Sequence, residues 1–248
     1  MMNLIRADFY RISKAWVVYA PFVVLLIFHI VMMILGTMSD QEVSGTMYAE
    51  SLLGFTQILF ALSLIPFVFC VSVPSFADGT IKNDISWGMS RIKLYVSKLL
   101  VMAILAVLLY LFYIGIGMAL VTVIHGLGDT GPGFWVNLLQ GMGAQTVGVL
   151  ALCSVMIFLS FLLKKPYVLT EALGGILMIP MIINWISSRF NADAAWVLYF
   201  DLMSNIQRFA SFHLLDGRGI LIAFGVIGIW MLVPLIGGIT LLRKAEIK

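Results

Sequence analysis

Two ionisable residues, His29 and Glu171, fall inside apolar runs long enough to cross a bilayer. An ionisable group in that setting is a candidate for substrate handling or proton transfer, because burying it in hydrocarbon is costly unless it has a task or a partner. Glu171 lies seven residues beyond Lys164, on the same helical face and close to Lys165, so pairing with the neighbouring basic residues is the plainer reading. His29 lies deeper, where a single histidine more often bridges helices by a hydrogen bond than binds a ligand. His125 and His213 have no acidic partners at metal-ligand spacing. The two cysteines, Cys70 and Cys153, fall within separate apolar runs and offer neither a disulfide framework nor a metal motif. The G-x-x-x-x-G-K-[ST], H-E-x-x-H and G-x-S-x-G patterns are missing, so nucleotide cradling, zinc proteolysis and nucleophile-elbow hydrolysis have no sequence basis. Asp78-Gly79 through Arg91 is not followed by the further aspartates that would be needed to hold divalent cations.

The elements that must position these residues are membrane helices. Of 248 residues 62% are hydrophobic and 11% charged, whereas a soluble domain needs about 25% charge. Six runs have the length for a hydrocarbon core of about 30 Å: Trp16–Gly36, Leu53–Val73, Leu99–Ile124, Gln145–Leu163, Tyr167–Ser187 and Gly219–Leu242. Backbone amides must pair internally in lipid, so the runs are expected as helices. The alternating pattern of a membrane barrel is missing. Twelve of the 15 basic residues fall before the first run, in the second and fourth connections and after the last run. The positive-inside rule makes those segments, and both termini, cytoplasmic. The cations follow topology rather than forming a patch, which argues against a nucleic-acid partner. The first run is too long for a signal peptide and no small-x-small site follows it.

One membrane domain, 1–248, is therefore expected. Residues 1–15 read as an amphipathic helix lying in the cytoplasmic interface, with Ile5, Phe9, Ile12 and Trp16 at helical spacing among Arg6, Asp8, Arg11 and Lys14. Thr37–Leu52 reads as a short acidic external connection. His125–Phe134 is a Gly/Pro turn cluster, followed by a half-apolar stretch expected on the membrane surface before the fourth span. In the external insert 188–218, Trp196, Phe200, Met203 and Ile206 share one helical face opposite Asp201, Asn205 and Arg208, which predicts short helices in the outer leaflet. Pro21, Pro66, Pro180 and Pro234 inside spans predict kinks. Gly115 with Gly117, and Gly174 with Gly175, predict close helix contacts.

The long polar stretch near the middle, 76–98, carries Lys82, Arg91, Lys93 and Lys98 between two spans. Asp78-Gly79-Thr80 breaks the second helix, Trp87 and Gly88 follow, and Ser90-Arg91 reads as the cap and first turn of a helix running through Lys93, Tyr95 and Lys98 into the third span. Trp87 and Tyr95 are expected at the interface. The order acid–Gly–Thr, small-residue break, Ser–Arg, aromatic, Lys resembles the permease subunits of type-2 ATP-binding-cassette exporters. It rests here on Asp78, Gly79, Thr80, Gly88, Ser90, Arg91, Tyr95 and Lys98. Six spans, the cytoplasmic leader and an outer helical insert before the last span resemble the same family. Asp78 stands where that family more usually has glutamate, and Gly88 where it often has proline.

The resemblance implies an all-α fold with a cytoplasmic coupling helix between spans two and three, in a cell membrane of bacterial type. It implies a second permease copy or homologue, and two copies of a separate ATPase that bind ATP and Mg, with no cofactor in this chain. The stretch 76–98, Trp87 included, and the leader would dock that ATPase and move as levers. The size of the chain resembles permeases that serve export of, or immunity to, amphipathic antimicrobial peptides. The alternatives are a membrane-embedded enzyme using Glu171 or His29, or an accessory scaffold.

Overall fold

A computed structural model describes residues 2–38, 43–55, 57–77, 89–163, 165–190 and 199–244. All regular structure among them is helical. The leader α1 spans Met2–Ser13 and passes through a single 3-10 turn, Trp16–Val18, into α2, Ala20–Met38. Next come α3 (Gly45–Phe55), α4 (Gln57–Ser63) and α5 (Ile65–Ala77). The long helices α6 (Arg91–His125), α7 (Phe134–Leu163) and α8 (Pro166–Phe190) follow. A short helix α9, Leu202–Arg208, leads through a 3-10 stretch, Phe209–Leu214, to α10, Gly217–Lys244.

Among the described residues four helices are long and apolar enough to cross a membrane: Trp16–Thr37, Arg91–His125, Phe134–Leu163 and Gly217–Arg243. Gly45–Gly54 with Leu59–Ser72 adds a fifth if that pair, bent by 78°, is one span. The apolar run Tyr167–Ser187 lies on the continuous helix α8.

The second span departs from the single Leu53–Val73 helix, kinked at Pro66, expected from the sequence, and is divided among α3, α4 and α5. Its first limb, α3, begins at Gly45, inside the segment read as an external connection. A helix starting there must place its first amides, and two of them find carbonyls in the loop after α6: Gly45 N–H donates to Gly126 (3.1 Å) and Thr46 N–H to Leu127 (2.9 Å). Gly126 and Gly128 in that loop have φ of +82° and +84°, open to glycine at little cost. At Gly128 a Cβ would also collide with Ser44. At its other end α3 stops before Thr56, leaving carbonyls that would be orphaned in an apolar interior. Gln145 Nε2 donates to the Leu53 carbonyl (2.8 Å) and Gln207 Nε2 to that of Gly54 (3.1 Å).

Two of the four span prolines mark helix starts rather than kinks. Pro21 and Pro66 each occupy the second position of their helix, where the missing N–H costs nothing. Pro180 and Pro234 lie inside α8 and α10. The half-apolar stretch expected on the membrane surface is instead the first third of α7, one helix of 30 residues, about 45 Å long at 1.5 Å per residue.

The core centres on α6, which touches α1, α2, α3, α5, α7 and α10, and on the pairing of α7 with α10. Small residues set these approaches. Tyr95 of α6 lies against Gly238 and Phe158 of α7 against Gly237, and Ser154 donates across to the Met231 carbonyl (2.8 Å). On α7, Gly141 faces the Phe209 carbonyl and Gly148 receives Ile206, which seats the external insert on the bundle. The glycines that serve are mostly other than those singled out from sequence: Gly115 and Gly174 face open space.

Gly148→Val is expected to lower stability by about 1–3 kcal/mol, the usual cost of overpacking, because even a Cβ there would collide with the buried Ile206 side chain. Thermal unfolding in detergent checks this, and an unchanged midpoint would mean the insert is not held at Gly148.

Candidate coupling site at the leader end

The face of α1 that carries Ile5, Phe9 and Ile12 packs on the bundle. Trp16, expected on the same face, points outward and is 88% exposed, because the chain turns at the 3-10 stretch. In the middle of the packed face sits a carboxylate. Asp8 Oδ1 accepts from Lys98 Nζ of α6 at 2.6 Å and from Arg11 Nη2 at 3.2 Å. The Lys98 and Asp8 side chains are 5% and 9% exposed. Arg11 also donates to the carbonyls of Cys70 (3.3 Å) and Val71 (3.4 Å) on α5. One carboxylate thus ties α1 to α6, and the same arginine ties both to α5. A buried pair is tolerable in these terms because each charge has an opposite partner, although Asp8 Oδ2 and Arg11 Nε are buried without a hydrogen bond.

The start of α6 is tied a second time. Arg91 Nη1 donates to the carbonyls of Leu242 (2.9 Å) and Arg243 (3.3 Å) at the end of α10. Those carbonyls are the negative end of a long helix, the place where a cation is most favourable. Helix α6 does begin at Arg91 with Ser90 at the cap position, although the Ser90 side chain makes no capping bond.

The residues expected to face a partner therefore divide. Ser90 is exposed and Lys93 beside it is exposed. Tyr95, expected at the interface, is fully buried: its ring packs edge-on against Phe161 at 5.2 Å and its hydroxyl donates to the Pro234 carbonyl at 3.3 Å. Lys98 is buried with Asp8. Lys93 precedes Tyr95 by two residues and lies on the opposite side of α6, so Tyr95 and Lys98 hold α6 in place rather than presenting a surface. Asp78, Gly79, Thr80, Trp87 and Gly88 lie outside the described residues.

The two intramembrane candidates are not brought together. His29 is 1% exposed, its Nδ1 is 3.0 Å from the Tyr48 hydroxyl on α3, and its ring lies 4.8 Å from that of Tyr113 on α6. Gly117 leaves the space: a Cβ there would lie 2.7 Å from His29 Cε1. This is the bridging role that a single histidine on an apolar helix suggests. Glu171 is exposed on α8. Its suggested partner Lys164 lies outside the described residues.

Two arrangements escaped the sequence reading. Gln145 accepts from the Tyr110 hydroxyl (2.7 Å) and donates to the Leu53 and Ile206 carbonyls (2.8 and 3.3 Å), so one amide joins α3, α6, α7 and the insert. A glutamine at the start of an apolar run was the available signal. In the insert, Asp201 and Asn205 are buried although they were placed on the polar face. Asp201 caps α9 by accepting from Ser204 N–H and Oγ at 2.7 Å each, and Asn205 Nδ2 donates back to the Tyr199 and Asp201 carbonyls at 2.9 and 2.7 Å. Met203 and Ile206 are buried as the pattern requires, Phe200 is exposed, and Trp196 lies outside the described residues.

The described residues thus form a bundle of membrane-length helices whose leader is clamped to the start of a long central helix. The sequence profile described as ABC-2 family transporter protein matches residues 4–184, well over half of the chain and inclusive of the Asp8–Lys98 clamp. The chain belongs to this family. It is thus a multi-pass membrane subunit of an ATP-binding-cassette transporter. No curated protein matches the chain at a significant level.

Asp8→Asn alone strands the Lys98 charge in a buried site and is expected to cost about 3 kcal/mol of stability. The double variant Asp8→Leu/Lys98→Met, which removes both charges, is expected to recover most of that loss. Thermal unfolding of the two purified variants decides: equal losses in both would mean the pair is not buried as described.

Proposed function

We propose that this chain is the passive, membrane-spanning half of an exporter of amphipathic cargo, with peptides that carry an apolar face as the favoured class. Energy comes from a separate ATPase that binds ATP and Mg, in two copies, against a pair of permeases formed by this chain with a second copy or a homologue. Six crossings with both ends in the cytoplasm of a bacterial cell fit the distribution of cations. On this topology 76–98 and the leader meet the ATPase, and the 188–218 insert dips into the outer leaflet.

The observation that carries the reading is mechanical continuity. Helix α6 runs unbroken for 35 residues from Arg91, about 50 Å at 1.5 Å per residue. Its first turns are clamped to α1 and α5 through Asp8, Lys98 and Arg11, and to α10 through Arg91. A push on the segment before Ser90 cannot be absorbed locally. It moves α1, α6 and α10 together, and the far end of α6 holds the first turn of α3 through Gly126 and Leu127. Coupling needs an element with differential contacts in two states, and a stiff helix fixed at both ends by hydrogen bonds is suited to relay them.

Co-purification with a soluble chain that carries a phosphate-binding loop, and cargo-dependent ATP hydrolysis by the pair, test the reading directly. Charge reversal at exposed Lys93, or Val96→Pro, which removes an N–H from the second turn of α6, is expected to lower transport about tenfold, a coupling loss near 1.4 kcal/mol, with the protein still inserted and ATP still hydrolysed. Unchanged transport in both variants would remove the lever role.

A further inference from the structure

At the end of the bundle remote from the leader, a cleft of about 440 Å3 opens between the last turns of α2, the start of α3 and the end of α6. That volume lies within the range of small-molecule sites. Its walls include Phe28, Met32, Met33, Met47, Tyr48 and Val121. Three methionines give a surface that adapts to a flexible chain rather than to one rigid shape. The Tyr48 hydroxyl is held by His29 at 3.0 Å, which fixes its ring in the wall.

What reaches this cleft first is decided by where it opens. Met32, Leu35 and Met47 on its rim are exposed, and they continue an exposed apolar surface formed by Ile27, Ile30, Val31 and Ile34 of α2. In a membrane-spanning helix that surface faces hydrocarbon, so the cleft is a lateral inlet from lipid. His125, the exposed last residue of α6, stands at its polar margin. We propose that the cleft holds the alkyl chain of a membrane amphiphile, with the headgroup outside at the level of His125. Cargo class and ATPase partner do not enter this argument; it rests only on α2 crossing the membrane.

The test uses the full chain in phosphatidylcholine vesicles that contain a phosphatidylcholine with a diazirine in its acyl chain. After irradiation, adducts on Met32, Met33 and Met47 are expected to exceed those on Leu232, Val233 and Ile236, exposed apolar residues of α10, by about tenfold, the ratio that 1.4 kcal/mol of preference gives. Met47→Trp and Gly36→Leu fill the cleft from different walls. Each is expected to remove most of that excess while α10 labelling and the melting temperature stay unchanged. An acylated hexapeptide, added at parity with the probe, reads the source of the chain. Displacement of the adduct assigns an amphiphilic cargo and persistence assigns a resident lipid, both with an alkyl chain in place. Labelling in proportion to exposure, survival of the excess in both filled variants, or exclusion of probe by a second copy cross-linked at Met47→Cys would overturn the proposal.

Discussion

A lysine and an aspartate buried against each other fix the geometry of the leader end. Neither Lys98 nor Asp8 is tolerable alone in that position, since an unpaired buried charge costs several kcal/mol. The leader therefore cannot lift away without exposing apolar Ile12 and stranding a charge, and α6 cannot rotate without losing its partner. Arg11 extends the constraint to α5 through backbone carbonyls, and Arg91 extends it to α10. Three connections distant in sequence become one rigid end.

The opposite end is organised by a different rule. Helices that stop inside apolar surroundings leave carbonyls and amides that must find partners. The bent second span is possible because Gln145 and Gln207 take the carbonyls at the end of α3, and because the glycine loop after α6 takes its first amides. Gln145 also reaches the insert through Ile206. The insert is seated by the same residue that permits the break, so the bend and the insert form one structural unit. The amide of Gln145 is bonded through both its oxygen and its nitrogen, which favours a unique arrangement over a loosely packed one.

A stiff end under the leader and a broken, hydrogen-bonded end beyond it suit a subunit driven from one side. On the proposed reading, motion imposed at the start of α6 would travel along a helix with no proline within it. At the other end it would meet shorter elements, α3 and the loop 126–133, joined to each other by backbone hydrogen bonds.

Composition and the placing of cations made the membrane class, the helical fold and the start of α6 at Arg91 legible, because bilayer length and missing solvent leave the backbone few choices. The resemblance carried by Ser90, Arg91, Tyr95 and Lys98 pointed to the family in which the chain is found. Hydropathy could not say that Tyr95 and Lys98 face inward, since an amphiphilic side chain near an interface reads alike whether it meets lipid, partner or its own bundle. Nor could it place the bend between Gly54 and Leu59, since the polar pair Thr56-Gln57 does not by itself say that a helix breaks, and the carbonyls that accept from Gln145 and Gln207 are fixed only by the fold. The chain alone dictated which segments are apolar enough to cross a bilayer; the folded bundle decided which polar atoms meet, because those partners lie 92 to 153 residues apart and are chosen by packing at glycines such as Gly148 and Gly238.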